Sequence, residues 1–291
     1  MSLIDTLNTG VSALTSFSTG LEVVGNDIAN VNTVGYKSST ASFEDSFSNT
    51  LKSSAPSSGT QSSSSAVQVG TGVQVSGVTT DYTQGALDST GVTTDLAVSG
   101  NGFFIVKDAS SLAQYATRDG QFRLDSNGYL VTQGGQRVQG YVGGSSSTPL
   151  GTTVGDIQIG LNPPANASLQ SIAIDTAGNV VESYSDGTSA TTNKVLLQNF
   201  SDTSALMKDG NNLYSGLAAA GPKGGGILAG GNTPGAGGLG SIQSGSLESS
   251  NVDLTQEFSN LITMQRSFQA GARLITVSDT VLDDVVNLKR S

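Results

Sequence analysis

"NDIANVNTVGYK", residues 26–37, packs three asparagines, a glycine and a lysine into twelve residues at the end of an apolar-periodic run. Upstream of it, Leu3, Leu7, Gly10, Leu14, Phe17, Leu21, Val24, Ile28 and Val31 step alternately by four and three. That is the ~3.5-residue period of a helical seam. Within the stretch the period stops and polar residues accumulate. Asn32 and Thr33 suit the last carbonyls of a helix, and Gly35 permits the positive φ at which a helix ends. Asn26 and Asn30, four apart, share a helix face and can hydrogen-bond to a neighbouring helix. Asn26, Asn30, Asn32, Thr33, Gly35, Tyr36 and Lys37 therefore read as a junction motif. A plain polar helix end explains Asn32 through Gly35 equally well, but explains Asn26 and Asn30 less well.

The other end of the chain answers the first. From Val252 to Arg290, Leu254, Phe258, Leu261, Phe268, Ala272, Ile275, Leu282 and Val286 fall near the same period, with Gln265 and Asp279 interrupting it. Asp253 suits a helix N-terminus, and Lys289 and Arg290 suit the opposite pole of the dipole. Glycines and Ser/Thr content make both helices marginal alone in water. Two such helices are expected to pair as a coiled coil, with Leu7, Leu14, Leu21, Ile28, Leu254, Leu261, Phe268, Ile275 and Leu282 as its seam.

Between them the period changes to two. "VQVGTGVQVSGV", "DLAVSGNGFFIV", "QFRLDSNGYLVT" and "LQSIAID" are β-type runs. The turn pairs Asn101-Gly102, Asp119-Gly120, Asn127-Gly128, Gly134-Gly135, Gly178-Asn179 and Asp186-Gly187 separate such runs. The expected fold is mainly β with α-helical termini, around a central Gly/Ser-rich β-barrel or sandwich. Its divisions are an N-terminal helix over 1–32, a Ser/Thr-rich connecting segment over 33–66, a central β-domain over 67–245 with room for a small sub-domain within 142–230, and a C-terminal helix over 246–291. The tract "SSAPSSGTQSSSS" (53–65) reads as a linker, and 216–245 as an irregular glycine-rich return. "TQGALDSTGVTTDL" (83–96) echoes "IQSGSLESSNVDL" (242–254). The echo marks either matching incoming and outgoing segments of the β-region or a chance likeness.

Composition excludes more than it selects. The 291 residues carry a net charge of −10, only 12% charged residues, 38 glycines, and no Cys, His or Trp. The acidic balance argues against nucleic-acid binding. Without Cys or His the usual thiolate and imidazole sites are missing, and no cofactor or metal is expected. "GLAAAGPKGGG" (216–226) fails as a phosphate loop, because Pro222 precedes Lys223 and no Ser or Thr follows. "DTAGNVVESYSD" (175–186) lacks the glycine and glutamate of an EF-hand. Asp283 and Asp284 point about 100° apart on a helix and read as a solvated face. The N-terminus has no basic start or continuous apolar stretch, so any export is expected to use an uncleaved signal. No run approaches the ~20 apolar residues of a membrane span.

Several of these segments together resemble one family. "TGLEVVGNDIANVNTVGYKSS" (19–39), "DLAVSGNGFFIVKD" (95–108), "YATRDGQFRLDSNGYLVTQGGQRVQGY" (115–141) and 245–290 are similar, in order, to the bacterial flagellar axial proteins of the rod and hook. The resemblance implies a non-enzymatic structural subunit of the basal body or hook. Its terminal helices would line an inner tube, its β-domain would lie outside, and it would polymerise helically. Its partners would be copies of itself, other axial and junction proteins, a hook or rod cap, and the flagellar type III export apparatus. "YKSSTASFEDSF", "TDYTQGALDSTG" and the ending "VVNLKR" look most like hook members, a flexible universal joint that passes torque to the filament. The short span from Tyr141 to Gly245 is nearer the distal rod, a drive shaft. Hook is the first expectation, distal rod the second, and a secreted adhesin-like β-protein the least. On this reading the junction motif sits against adjacent subunits and makes few contacts within its own chain.

Overall fold

The computed structural model describes residues 3–54, 56, 65–145, 150–160, 167–229 and 232–288. Lys289, Arg290 and most of the Ser-rich tract, 55 and 57–64, lie outside the described residues. The chain divides into two compact units: Met1–Ala29, Ser38–Asp81 and Val252–Ser291 form one, Asn30–Lys37 and Tyr82–Asn251 the other.

The first unit holds both long helices, α1 (Leu3–Ala29) and α2 (Leu254–Leu288). Asp253 caps α2, its Oδ1 accepting from the N–H groups of Thr255 at 2.8 Å and Gln256 at 3.3 Å. Among the described residues, four strands complete the unit: β1 (Ser39–Asp45), β2 (Ser48–Lys52), β3 (Val67–Gly70) and β4 (Val73–Thr80). β1 pairs antiparallel with β4, and β2 with β3. Residues 67–80, expected to open the central β-domain, thus pair with strands of the connecting segment instead. Residues 33–66 in turn contain two strands.

The helices lie against each other, and small residues set their approach. Among the described side chains, Gly10, Ser16, Gly20, Val24 and Asp27 are the buried positions of α1, and Gly271 and Ser278 those of α2. A Cβ on Gly10 would come within 2.9 Å of Ile275 Cγ1, and one on Gly271 within 3.4 Å of Leu14 Cδ2. Thr6 and Ser278 hydroxyls meet at 3.3 Å. The predicted seam is only partly followed. Leu7, Leu14, Leu21, Ile28, Leu261, Ile275 and Leu282 are half-buried, but Leu254 and Phe268 are exposed. The covered positions of α2 instead fall in two seven-residue registers, Glu257, Met264, Gly271 and Ser278 in one and Leu261, Ile275 and Leu282 in the other, with the most buried positions, the small residues Gly271 and Ser278, both in the first. Across from α1, Phe17 packs on Phe43 of β1 with ring centroids 5.7 Å apart. Ser16 Oγ donates to the Val73 carbonyl at 3.1 Å, and Asp27 Oδ2 accepts from the Ser39 N–H at 2.9 Å.

The second unit is antiparallel β. Its elements are β5 (Leu87–Ser89), β6 (Leu96–Ser99), β7 (Phe103–Lys107), β8 (Gln114–Thr117), β9 (Arg123–Leu124), β10 (Leu130–Val131), β11 (Arg137–Tyr141), β12 (Val154–Asp156), β13 (Leu169–Ile174) and β14 (Asn179–Tyr184), continuing through β15 (Ser189–Val195), β16 (Leu197–Gln198), β17 (Met207–Lys208), β18 (Leu213–Ser215), β19 (Ser241–Ser244) and β20 (Ser246–Glu248). The main sheet runs β13-β14-β15-β11-β7-β8-β18-β17, with β10 and β12 joined at β11, β16 at β7 and β9 at β10. Among the described residues β13 and β17 remain unpaired edges, so the sheet does not close into the barrel that was one expectation. The strands within 142–230 pair into this same sheet.

The β7 sequence explains why both faces are covered. Phe104 and Val106 enter one buried cluster with Leu96, Val138 and Leu197, whereas Phe103 and Ile105 enter another with Phe200, Tyr214 and Leu228. Alternation sends successive side chains to opposite faces, and here both are apolar. The glycine-rich return supplies Leu217, Ala220 and Leu228 to the second cluster. It is ordered by buried Gln198, whose Oε1 accepts from the Leu228 N–H at 2.9 Å and from Asn232 Nδ2 at 3.0 Å. No described helix is long and apolar enough to cross a membrane.

The small-residue face yields a prediction. A Cβ on Gly20 would sit 3.0 Å from Phe43 Cζ and 3.3 Å from Met264 Sδ. Gly20→Leu should therefore overpack both contacts and cost about 1–3 kcal/mol. Thermal unfolding followed by the helical circular-dichroism signal checks this, with Gly25→Leu, in open space, as the control.

Candidate functional site

The junction motif folds back into the second unit. Thr33 N donates to the Asn30 carbonyl at 3.0 Å, and Tyr36 N to the Thr33 carbonyl at 3.3 Å, a turn that redirects the chain after α1. Gly35 then lies so close to the 118–119 peptide that a Cβ would stand 2.7 Å from Arg118 C and Asp119 N, at a φ of +68°. Only glycine meets both conditions. Its N–H donates to the Glu248 carbonyl at 2.7 Å. Tyr36 and Lys37 follow it into the interior, with Lys37 fully buried.

Lys37 Nζ ends on the Glu248 carboxylate, 2.6 Å from Oε1, and also donates to the Thr83 carbonyl at 2.6 Å. Glu248 Oε1 accepts in addition from the Gly85 N–H at 2.9 Å. Its other oxygen, Oε2, accepts from Arg118 Nη1 at 3.2 Å. Arg118 Nη2 donates to the Gly100 carbonyl at 2.9 Å, and the guanidinium stacks 5.1 Å from the Phe103 ring centroid. Burial pushes the Arg118 guanidinium below its ordinary pKa, with Glu248 pulling the other way. A carboxylate this deep is tolerable because charged and backbone donors surround it. The network unites residues 37, 118 and 248, which belong to three distant parts of the chain.

A second set of contacts holds the backbone of the junction. Lys208 Nζ donates to the Lys37 carbonyl at 2.9 Å and lies 4.7 Å from the Tyr36 ring centroid. Asn212, in the left-handed region at φ +57°, donates from Nδ2 to the Val34 carbonyl at 2.8 Å. Nearby, a groove of about 520 Å³ is lined by Asn32, Thr33, Asp119, Gln121, Gln136 and Asn212, among others. Burial raises the Asp119 carboxyl above its usual range, opposed by the Gln121 N–H it accepts.

The sequence-predicted residues thus separate into groups. Gly35, Tyr36 and Lys37 are buried in contacts within the chain, which overturns the expectation that the motif makes few of them. Asn26 and Asn32 are exposed, and Asn30 and Thr33 half-buried, with Thr33 Oγ1 donating to Asn30 Oδ1 at 3.1 Å. The seam residues lie on α1 and α2 as described above. Sequence reasoning missed Arg118 and Glu248. Its one available signal was the echo of 83–96 in 242–254. The structure pairs those segments as antiparallel strands, Glu248 opposite Leu87 in β20·β5 and Ser244 opposite Leu96 in β19·β6. The rejected motifs are structural: Lys223 N donates to the Asn199 carbonyl at 2.9 Å, and Asp283 and Asp284 are exposed on α2. No cluster of metal-ligating side chains occurs among the described residues.

Comparison with known proteins places these features. Residues 7–37 match the family described as flagella basal body rod protein. Residues 97–182 match the flagellar hook protein FlgE/F/G D1 domain. Residues 243–288 match the flagellar basal body rod FlgEFG protein C-terminal family. The flagellar basal-body rod protein FlgG of Bacillus subtilis (strain 168) is 36% identical over 293 positions, covering 99% of this chain and 100% of the relative. FlgG of Buchnera aphidicola subsp. Baizongia pistaciae is 33% identical over 264 positions, covering 90% and 91%. The flagellar hook protein FlgE of Salmonella typhimurium is 26% identical over 421 positions, covering 96% and 98%.

Two substitutions test the site. Glu248→Gln leaves two buried cations without their carboxylate and should weaken the local packing of residues 30–37 and 243–251 by about 3–5 kcal/mol, read from their susceptibility to limited proteolysis, with the urea midpoint of the second unit little changed. Asp119→Asn tests the raised carboxyl. A carboxyl with a raised folded pKa is fully tolerated while protonated and penalised as pH rises through that pKa. The variant should match the parent below the ordinary carboxylate range and become the more stable of the two as pH climbs to neutrality, measured as urea midpoints across pH.

Proposed function

The chain belongs to the family of flagellar basal-body rod and hook proteins, and within it we propose that it is a rod subunit, the drive shaft of the basal body. The family is structural rather than enzymatic. Chain length carries the choice. A rod relative aligns end to end over 293 positions, whereas the hook relative needs 421 positions for this chain of 291 residues. The hook, ranked first from sequence motifs, gives way to the distal rod, because the span between Tyr141 and Gly245 leaves no room for the extra length.

A rod must pass torque without shearing, so its subunits need tight contacts near the axis. α2 carries apolar residues in excess of what its packing against α1 uses. Leu254, Phe258 and Ile262 form one exposed row, and Leu274, Val277 and Val281 form another. At ~3.6 residues per turn these rows fall on opposite flanks of the covered face. Such rows fit copies of the chain on either side, in head-to-tail contacts that continue as an open helix. The half-buried Leu7, Leu14, Leu21, Ile28, Leu261, Ile275 and Leu282 would then complete a coiled-coil inner tube, with Leu254 and Phe268 turned to neighbours. Exposed Asn26 and Asn32 would hydrogen-bond between subunits. The remaining partners are other axial and junction proteins, the assembly cap and the type III export apparatus.

Immunogold labelling of isolated hook–basal bodies should place the protein in the rod; label along the hook would reverse the assignment. Val277→Asp with Val281→Asp should abolish polymers seen by electron microscopy while leaving the second unit's unfolding midpoint unchanged. Polymers of normal length from this variant would remove α2's outer rows from the assembly.

A further inference from the structure

The buried network joins two chain segments that are otherwise held by separate contacts within the second unit. Residues 30–37 are held by Asn212, Lys208 and the Gly35 approach to Arg118. Residues 243–251 are held by β20·β5 pairing and by the Ser249 N–H, which donates to the Ala86 carbonyl at 2.8 Å. They meet at Glu248, whose backbone carbonyl receives Gly35 N and whose carboxylate receives Lys37 Nζ.

We propose that Lys37 and Glu248 form a two-part latch, so that each of the segments 30–37 and 243–251 docks on the rest of the second unit much more tightly when the other is docked. The inference does not rest on the rod assignment. If 243–251 lifts away, Lys37 and Arg118 stay buried without their carboxylate, and Lys37 can regain solvation only by leaving with its segment. If 30–37 lifts away, Glu248 loses the 2.6 Å ion pair and the Gly35 N–H together. Coupling of this kind is reciprocal by thermodynamic necessity, so each segment tightens the other by the same factor. The hydrophobic clusters built around β7 include neither Lys37 nor Glu248, so the sheet itself has its own source of stability. The latch is thus a device that makes the segment leaving α1 and the segment entering α2 order or release together.

Amide hydrogen exchange on the full chain tests this, comparing the parent with Glu248→Gln, Lys37→Met and the double variant. The Gly35 and Tyr36 amides report one segment, the Ser249 amide the other, and the amides of β14 and β15 the sheet. The expected result is exchange at least tenfold faster in both segments for either single variant. The double variant should be no faster than the singles, and β14 and β15 should stay protected. Faster exchange confined to the substituted residue's own segment, or additive effects in the double variant, would overturn the latch. So would loss of protection in β14 and β15 in step with the segments, because the network would then support the whole unit rather than couple its ends.

Discussion

Glu248 is the constraint around which the second unit is arranged. Its carboxylate is buried, and a buried carboxylate is stable only when cations and N–H groups converge on it. The convergence requires Lys37, Arg118 and Gly85 at one point, three groups from separate stretches of chain. Several local features follow from it. Gly35 must be glycine so that the incoming backbone can pass against the 118–119 peptide and still turn Lys37 inward. β5 must pair with β20 so that Glu248 lies beside the loop that presents Gly85. A chain with few charges has placed three of them where water does not reach.

The helical unit follows a different rule, close approach through small side chains. Gly10, Ser16 and Gly20 on α1 and Gly271 and Ser278 on α2 occupy the covered face, and the leucines flank it. Hydroxyl and carboxylate groups there are satisfied by strand backbone, as in Ser16 to Val73 and Ser39 to Asp27. This geometry leaves much of α2's apolar surface outside the packing, which is what a subunit of a helical polymer needs and a monomeric protein avoids.

How far the sequence was legible depended on the range of the interaction. Asn127-Gly128, Gly134-Gly135, Gly178-Asn179 and Asp186-Gly187 all lie in hairpin turns, because a tight turn depends on the φ preferences of adjacent residues. Gly102 and Gly120 look the same in sequence but serve another purpose. A Cβ on Gly120 would collide with the Leu96 carbonyl, and one on Gly102 would stand 3.2 Å from Leu197 Cβ. The glycine-rich return was readable only as irregular; its anchor, Gln198, is a single amide whose partners lie about thirty residues ahead of it.

The terminal helices, the change of period between them, the turn at residues 32–35 and the family were legible from residue order alone. Each is written in neighbouring residues, and backbone preference and side-chain period act over a few positions. Long-range contacts settled which strands share a sheet, that the sheet stays open among the described residues, that 67–80 pairs with 39–52, and that Lys37 is buried rather than offered to a neighbour. Those outcomes depend on which distant groups can satisfy a buried charge or cover an apolar face. A carboxylate at position 248 looks like any other until the lysine and arginine that neutralise it are brought beside it.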